Sequence, residues 1–215
     1  MTSRRYTAID ECLMQLDRCL SALFTTRPRM PARPSPANDK PEPDLSMEER
    51  RHVAGLMRVN HAGEVAAQAL YQGQALTSRE AGVQVSMQQA AREEIDHLHW
   101  CRQRLNELGS HPSRLDPFWY TGSFLLGSLA GVAGDRWSLG FVAETERQVV
   151  EHLQSHLGRL PVVDQKSRAI LEQMAEDEAR HGQEATAIGG VELPLPIKQA
   201  MRLCSRIMTR TAYYI

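Results

Sequence analysis

Glutamate and histidine recur in this chain at a spacing that suits metal ligation. Two tetrads, Glu94-Ile95-Asp96-His97 and Glu178-Ala179-Arg180-His181, each set a Glu and a His three residues apart, on one face of a helix. Each follows a further glutamate at nearly the same interval: Glu64 lies 30 residues before Glu94, and Glu146 lies 32 before Glu178. One Glu from each of two helices plus a Glu-x-x-His from each of two others is the ligand set of a di-iron or di-manganese carboxylate bundle. A single Glu-x-x-His is ordinarily an accident of a solvated helix face. Two copies with matching upstream glutamates call for a common cause. Carboxylates can bridge two cations, and imidazole suits iron. Four glutamates supply four negative charges to two divalent ions, so the reduced centre is neutral and its burial tolerable, with coordination positions left open for O2.

Neighbouring groups need sorting. Glu144 lies two residues from Glu146 and points about 160° away around a helix, so only one of the two can face the centre, and the spacing leaves the choice open. Glu93, Glu144, Glu176 and Glu184 read mainly as solvated charges. Asp96 and Asp177 are either exposed or positioned to orient ligand histidines. His61, three residues before Glu64, lines the site or serves as a capping or core histidine.

Long helices are needed to carry these groups. No proline occurs between Leu45 and His111. Ser46-Met47-Glu48-Glu49 has the form of a capping box and opens a helix to about Leu76. Thr77-Ser78-Arg79-Glu80 reads as the cap of a second, reaching Leu108 before Gly109, Ser110 and Pro112. The short connection makes the two antiparallel. Asp135 or Arg136 opens a helix to about Gly158. Asp164 caps the one carrying Glu178 and His181, which ends at Gly189-Gly190, and a last helix follows Pro196. No alternating strand pattern appears. The expected fold is all-α: a ferritin-like four-helix bundle with an additional hydrophobic connecting helix and a C-terminal amphipathic helix, over residues 46–215. Residues 1–27 form an N-terminal amphipathic helix, with Ile9, Leu13, Leu16, Leu20 and Leu23 as its stripe. Residues 28–45 hold six of the 11 prolines and read as an extended or disordered linker.

Phe118 to Gly134 is a stretch of 17 residues without a charge, short of the roughly 20 that a membrane span needs. A single crossing here would also separate Glu64, Glu94 and His97 from Glu146, Glu178 and His181. The segment is therefore a buried connector rich in small residues or, the preferred reading, an interfacial helix anchored by Phe118, Trp119, Tyr120 and Trp137. In the last helix Lys198, Arg202, Arg206 and Arg210 form a basic stripe opposite Ile197, Met201, Cys204, Ile207 and Met208, the pattern of a membrane-surface helix.

Several of these strings resemble the demethoxyubiquinone hydroxylase family: Leu56 to Glu64, containing Asn60-His61-Ala62-Gly63-Glu64; the first tetrad; Phe141 to Glu146; and Asp177 to His181. The resemblance runs from about Ser46 to the C-terminus. It implies a membrane-associated di-iron monooxygenase of ubiquinone biosynthesis. Its ligands would be Glu64, Glu94, His97, Glu146, Glu178 and His181, with Glu146 chosen over Glu144 and with Glu94 and Glu178 as bridges. His152 falls where the family has a histidine near the site. The implied reaction hydroxylates the ring of a polyprenylated methoxy-methyl-benzoquinol, using two ferrous ions, O2 and two electrons from outside. The implied setting is a peripheral protein on the cytoplasmic face of the cell membrane, drawing its prenylated quinol from the bilayer. An accessory lipid-presenting protein and a homo-oligomer are compatible with it.

Composition fits. The chain has 215 residues, 42% of them apolar, and a net charge of -1, which gives no global attraction to nucleic acid. Cys12, Cys19, Cys101 and Cys204 form no Cys-x-x-Cys pair and read as reduced thiols, and the first residues lack the pattern of a secretory signal. Two rivals stand beside the hydroxylase: ferritin- or rubrerythrin-type iron oxidation or peroxide scavenging on the same ligands, and a non-enzymatic helical membrane adaptor whose carboxylates are surface charges and which holds no stoichiometric iron.

Overall fold

A computed structural model describes residues 31–215; the expected N-terminal helix over 1–27 lies outside the described residues. Six helices follow in order: α1 Met47–Thr77, α2 Ala81–Glu107, α3 Asp116–Val132, α4 Asp135–Leu157, α5 Gln165–Ala187 and α6 Leu195–Ala212. No strand occurs among the described residues. α1 and α2 form one hairpin and α4 and α5 another. The hairpins face each other through α2 against α5 and α1 against α4, the arrangement of a ferritin-like bundle. α3 connects the halves and lies along α1, and α6 returns to α1 and α4. With neighbours on several sides, α1 is buried over most of its length, polar Gln68, Gln72 and Gln74 included.

Local chemistry sets the helix ends. Ser46 and Glu49 make the expected capping box: Ser46 Oγ accepts from Glu49 N–H at 3.3 Å, and Glu49 Oε2 accepts from Ser46 N–H at 2.9 Å. Asp164 Oδ1 accepts from Ser167 N–H at 3.0 Å and starts α5. The expected cap of α2 is a correction. None of its own side chains caps it. Asp135, at the start of α4, instead takes the amides of Arg79 at 3.1 Å and Glu80 at 2.7 Å. A buried carboxylate reaching across the bundle satisfies the free N–H groups there and pins the α1–α2 turn to the second hairpin.

The connector has two dissimilar faces. Its inner face meets α1 so closely that a Cβ at Gly127 would lie 2.2 Å from Leu70 O, and one at Gly73 would lie 2.3 Å from Phe124 O. Only glycine permits that approach. Its outer face leaves Phe118, Leu125, Leu129 and Val132 exposed. The segment thus combines close packing on α1 with an uncovered apolar stripe. Its 17 residues span about 25 Å at 1.5 Å each, and no helix among the described residues is long and apolar enough to cross a membrane.

The proline-rich stretch, over its described part, does more than connect. Residues 31–45 contain no helix, yet Ser35, Ala37 and Leu45 are buried, the last two within the main hydrophobic cluster with Trp100, Leu105 and Leu171.

Candidate metal centre

α1 contributes Glu64, α2 Glu94 and His97, α4 Glu146, and α5 Glu178 and His181; all six side chains are buried. Ligand atoms of Glu64, Glu94, His97 and Glu178 lie within 4.8 Å of one another. His97 turns Nδ1 inward, 3.5 Å from Glu64 Oε2, 3.3 Å from Glu94 Oε2 and 3.1 Å from Glu178 Oε1. His181 Nδ1 lies 3.6 Å from Glu94 Oε1 and 3.1 Å from Glu178 Oε2. Glu94 and Glu178 therefore each face both histidines, one oxygen toward each, while Glu64 stands beside His97. Glu146 accepts a hydrogen bond from the buried Tyr71 hydroxyl and is repelled by Glu178 and Glu94.

The electrostatics are compatible with bound cations. Burial, then the neighbouring Glu94, drives the Glu64 carboxyl well above its ordinary range. Burial, then Glu178 and Glu94, does the same to Glu146. Burial opposes charge on His97 and His181, but the surrounding carboxylates outweigh it. His97 is held well above the usual imidazole range and His181 is raised to about 9. The same histidines, working against burial, draw Glu178 below the carboxylate range. Protons on Glu64, Glu146, His97 and His181 thus offset a negative charge that two divalent cations would offset instead. Glu64 Oε2, both Glu94 oxygens and His97 Nδ1 are buried without a hydrogen bond, a costly state for polar atoms and one that ligation would relieve. The donor set, four carboxylates and two imidazoles, fits two iron ions.

The outward faces of the histidines are also occupied. His97 Nε2 lies 2.9 Å from Asp177 Oδ2, and His181 Nε2 lies 2.9 Å from Glu93 Oε2. Asp177 therefore orients a histidine. Asp96 does not: it accepts from Ala32 N–H at 2.7 Å and from Arg33 Nε at 2.9 Å. Glu93, expected to be solvated, is a correction, because Arg180 and His181 hold it at about 2 against the opposing effect of burial. The signal was present in the chain, since an acid immediately precedes each tetrad glutamate: Glu93 before Glu94, Asp177 before Glu178. Tyr71 had no such signal.

Other expectations resolve as follows. Glu144 is buried but turned away from the cluster, bonded to Arg147 at 2.6 Å and Gln148 at 2.6 Å. Glu176 and Glu184 are exposed. His61 is a core histidine, its Nδ1 3.2 Å from Asp116 Oδ2 at the start of α3. His152 is not among the clustered ligands. It lies six residues beyond Glu146, about 9 Å along α4, with its ring 3.9 Å from that of His156. His156 in turn contacts Asn60 Oδ1 at 2.9 Å. Burial, then Arg159, lowers His152 to about 4, so it is neutral at pH 7.

Comparison with known proteins places this geometry in context. The family model for ubiquinone biosynthesis protein COQ7 matches residues 51–212. A protein of Nitrosococcus oceani is 58% identical over 215 residues, covering 100% of both chains. One of Stutzerimonas stutzeri is 56% identical over 214 residues, 100% of this chain and 99% of its own. One of Cupriavidus necator is 57% identical over 211 residues, 96% of this chain and 100% of its own. Each of the three carries the name 3-demethoxyubiquinol 3-hydroxylase.

Proposed function

The chain belongs to the family of ubiquinone biosynthesis protein COQ7, and we propose that it is a di-iron 3-demethoxyubiquinol 3-hydroxylase. The reading is carried by the meeting of Glu64, Glu94, His97 and Glu178 from three separate helices in one buried cluster, with Glu146 and His181 beside it. These six side chains would hold two iron ions. Bound there, the metal pair supplies activation of O2. One oxygen atom enters the quinol ring in place of a hydrogen, and the other leaves as water, consuming two electrons from an external reductant and two protons.

The chain's own groups provide the setting. Asp177 and Glu93 accept from the Nε2–H groups and so keep Nδ1 of each histidine free for ligation. Tyr71 donates to Glu146 and fixes that carboxylate's orientation. Burial of all six ligands excludes bulk water, which strengthens every charge interaction within.

The substrate's prenyl tail places it in a bilayer, and the surface offers matching features. α3 exposes Phe118, Leu125 and Leu129, and α6 exposes Leu203 and Ile207 beside the exposed Arg202, Arg206 and Arg210, while Lys198 of the expected stripe is ion-paired with Glu192 and Glu144. The proposed setting is therefore peripheral attachment to the cytoplasmic face of the cell membrane. The decisive experiment incubates iron-loaded protein with reductant, O2 and a demethoxyquinol and looks by mass spectrometry for a gain of one oxygen. Glu64→Ala and His181→Ala should lose that product and bind less iron while keeping their helix content. Full turnover in either variant would refute the ligand assignment.

A further inference from the structure

The two halves of the centre orient each other's histidines. His97 of the first tetrad is met by Asp177, which precedes the second; His181 of the second is met by Glu93, which precedes the first. An acid that must hold an imidazole needs holding itself. On the Glu93 side this falls to Arg180, 2.7 Å from Oε2, the same oxygen that faces His181. On the Asp177 side Arg180 reaches only Oδ1, at 3.2 Å. Oδ2, the oxygen that faces His97, is held by Arg33 Nη1 at 2.8 Å.

Arg33 comes from the proline-rich stretch, outside the residues that the family model matches. It is nonetheless built in. Its Nε donates to Asp96 Oδ2 at 2.9 Å. Its guanidinium lies 5.0 Å over the Trp100 ring, and its backbone carbonyl accepts from Trp100 Nε1 at 3.4 Å. The preceding amide, Ala32 N–H, donates to the other Asp96 oxygen at 2.7 Å. The planar guanidinium suits this task because it serves two carboxylates from fixed directions.

We propose that Arg33 is a positioning residue of the metal centre: it fixes Asp177 so that Asp177 takes the Nε2–H of His97 and His97 presents Nδ1 to the metal. Segment 31–45 is then part of the catalytic unit. The inference rests on the di-iron reading above and adds an asymmetry to it, since Arg33 supports the His97 half and Arg180 the His181 half.

The test is anaerobic Fe(II) titration of the full-length protein against a competing chelator, with Mössbauer spectra of the loaded samples, for wild type, Arg33→Met, Arg33→Lys, Asp177→Asn and the Arg33→Met/Asp177→Asn double variant. Arg33→Met should weaken Fe(II) binding about 10-fold or more, within the range usual for groups that orient metal ligands. Arg33→Lys, retaining charge but not the two-way geometry, should recover only part of that loss. The double variant should lose less than the sum of the two single losses, because both changes break the Arg33–Asp177 connection, and the quadrupole splitting of one iron of the pair should change. Arg33→Met binding within twofold of wild type, or a loss that adds in full to that of Asp177→Asn, would overturn the role and leave the segment a simple tether. Wild-type protein that takes up no stoichiometric iron would overturn the di-iron reading and this inference together. Wild-type protein that binds two iron ions but does not hydroxylate the quinol, with Arg33→Met impaired in binding, would overturn the reaction and uphold Arg33.

Discussion

Protonation is where the individual residues of the cluster declare their purpose. Without cations, Glu64, Glu146 and His97 are held well above their ordinary values, and His181 at about 9. A ligating carboxylate must be ionised and a ligating imidazole neutral, so metal uptake has to expel these protons. At pH 7, loading with Fe(II) should release protons, and affinity should fall as pH is lowered. Calorimetry in buffers of differing ionisation enthalpy would measure the release, and a net release of zero would contradict the arrangement. The same shifts act on folding. A group whose folded value is raised contributes stability that is present below its unfolded value and lost as pH rises through the folded one. For His181 that loss runs from about 6.5 to about 9, on the order of 2 kcal/mol between pH 7 and pH 9. The other raised groups act in the same direction, while His152 and His156, both lowered, are neutral throughout that window. Metal-free protein should therefore melt at a lower temperature at pH 9 than at pH 7, and metal-loaded protein should lose most of that dependence.

Among the elements, the α1–α3 contact is exacting, because backbone meets backbone. Gly127→Ala would drive a Cβ to 2.2 Å from Leu70 O, and a carbonyl within a buried helix cannot rotate aside. α3 would have to lift from α1, costing about 1–3 kcal/mol. Gly122 lies in the same helix with nothing near its Cβ position, so Gly122→Ala should instead stabilise by roughly 0.5–1 kcal/mol. Thermal melts of the two variants should shift in opposite directions, and a shared direction would mean that helix propensity, not proximity, governs α3. This contrast also marks what the sequence could disclose. The tetrads were legible because Glu and His three apart share a helix face whatever surrounds the helix, and Ser46 and Asp164 cap within their own neighbourhood. The choice between Glu144 and Glu146 was not legible from periodicity, because α4 is covered on both sides: Glu146 meets the centre, and Glu144 meets Arg147 and Lys198 beneath α6. Nor were Asp135 on the amide of Glu80 or Arg33 on Asp177. Those partners lie 55 and 144 residues apart and meet only in the folded bundle.

For the whole molecule, the question is what the uncovered apolar surface meets. α3 and α6 both lie on α1, and their ends come together where Trp119, Tyr213 and Ala212 pack over Val59 and Ala62. The outward face of α3, with Phe118 and Leu129 each 66% exposed, thus begins near the C-terminal end of α6, whose own Leu203 and Ile207 are uncovered. A bilayer would cover both helices together, with the basic stripe of α6 at the headgroups, and would hold the prenyl tail of the proposed substrate on the same side. Cosedimentation with vesicles containing anionic lipid tests this. Leu125→Glu with Leu129→Glu should reduce vesicle binding at least tenfold, because covering the exposed parts of the two leucines contributes about 1–2 kcal/mol each and the new charges oppose insertion and anionic headgroups. Iron stoichiometry should stay at the wild-type level, since neither side chain touches the cluster. High salt should weaken binding without abolishing it, because the apolar contribution is not screened. Binding that vanishes in salt and ignores the leucines would assign the attachment to charge alone and leave the exposed stripe of α3 for another partner.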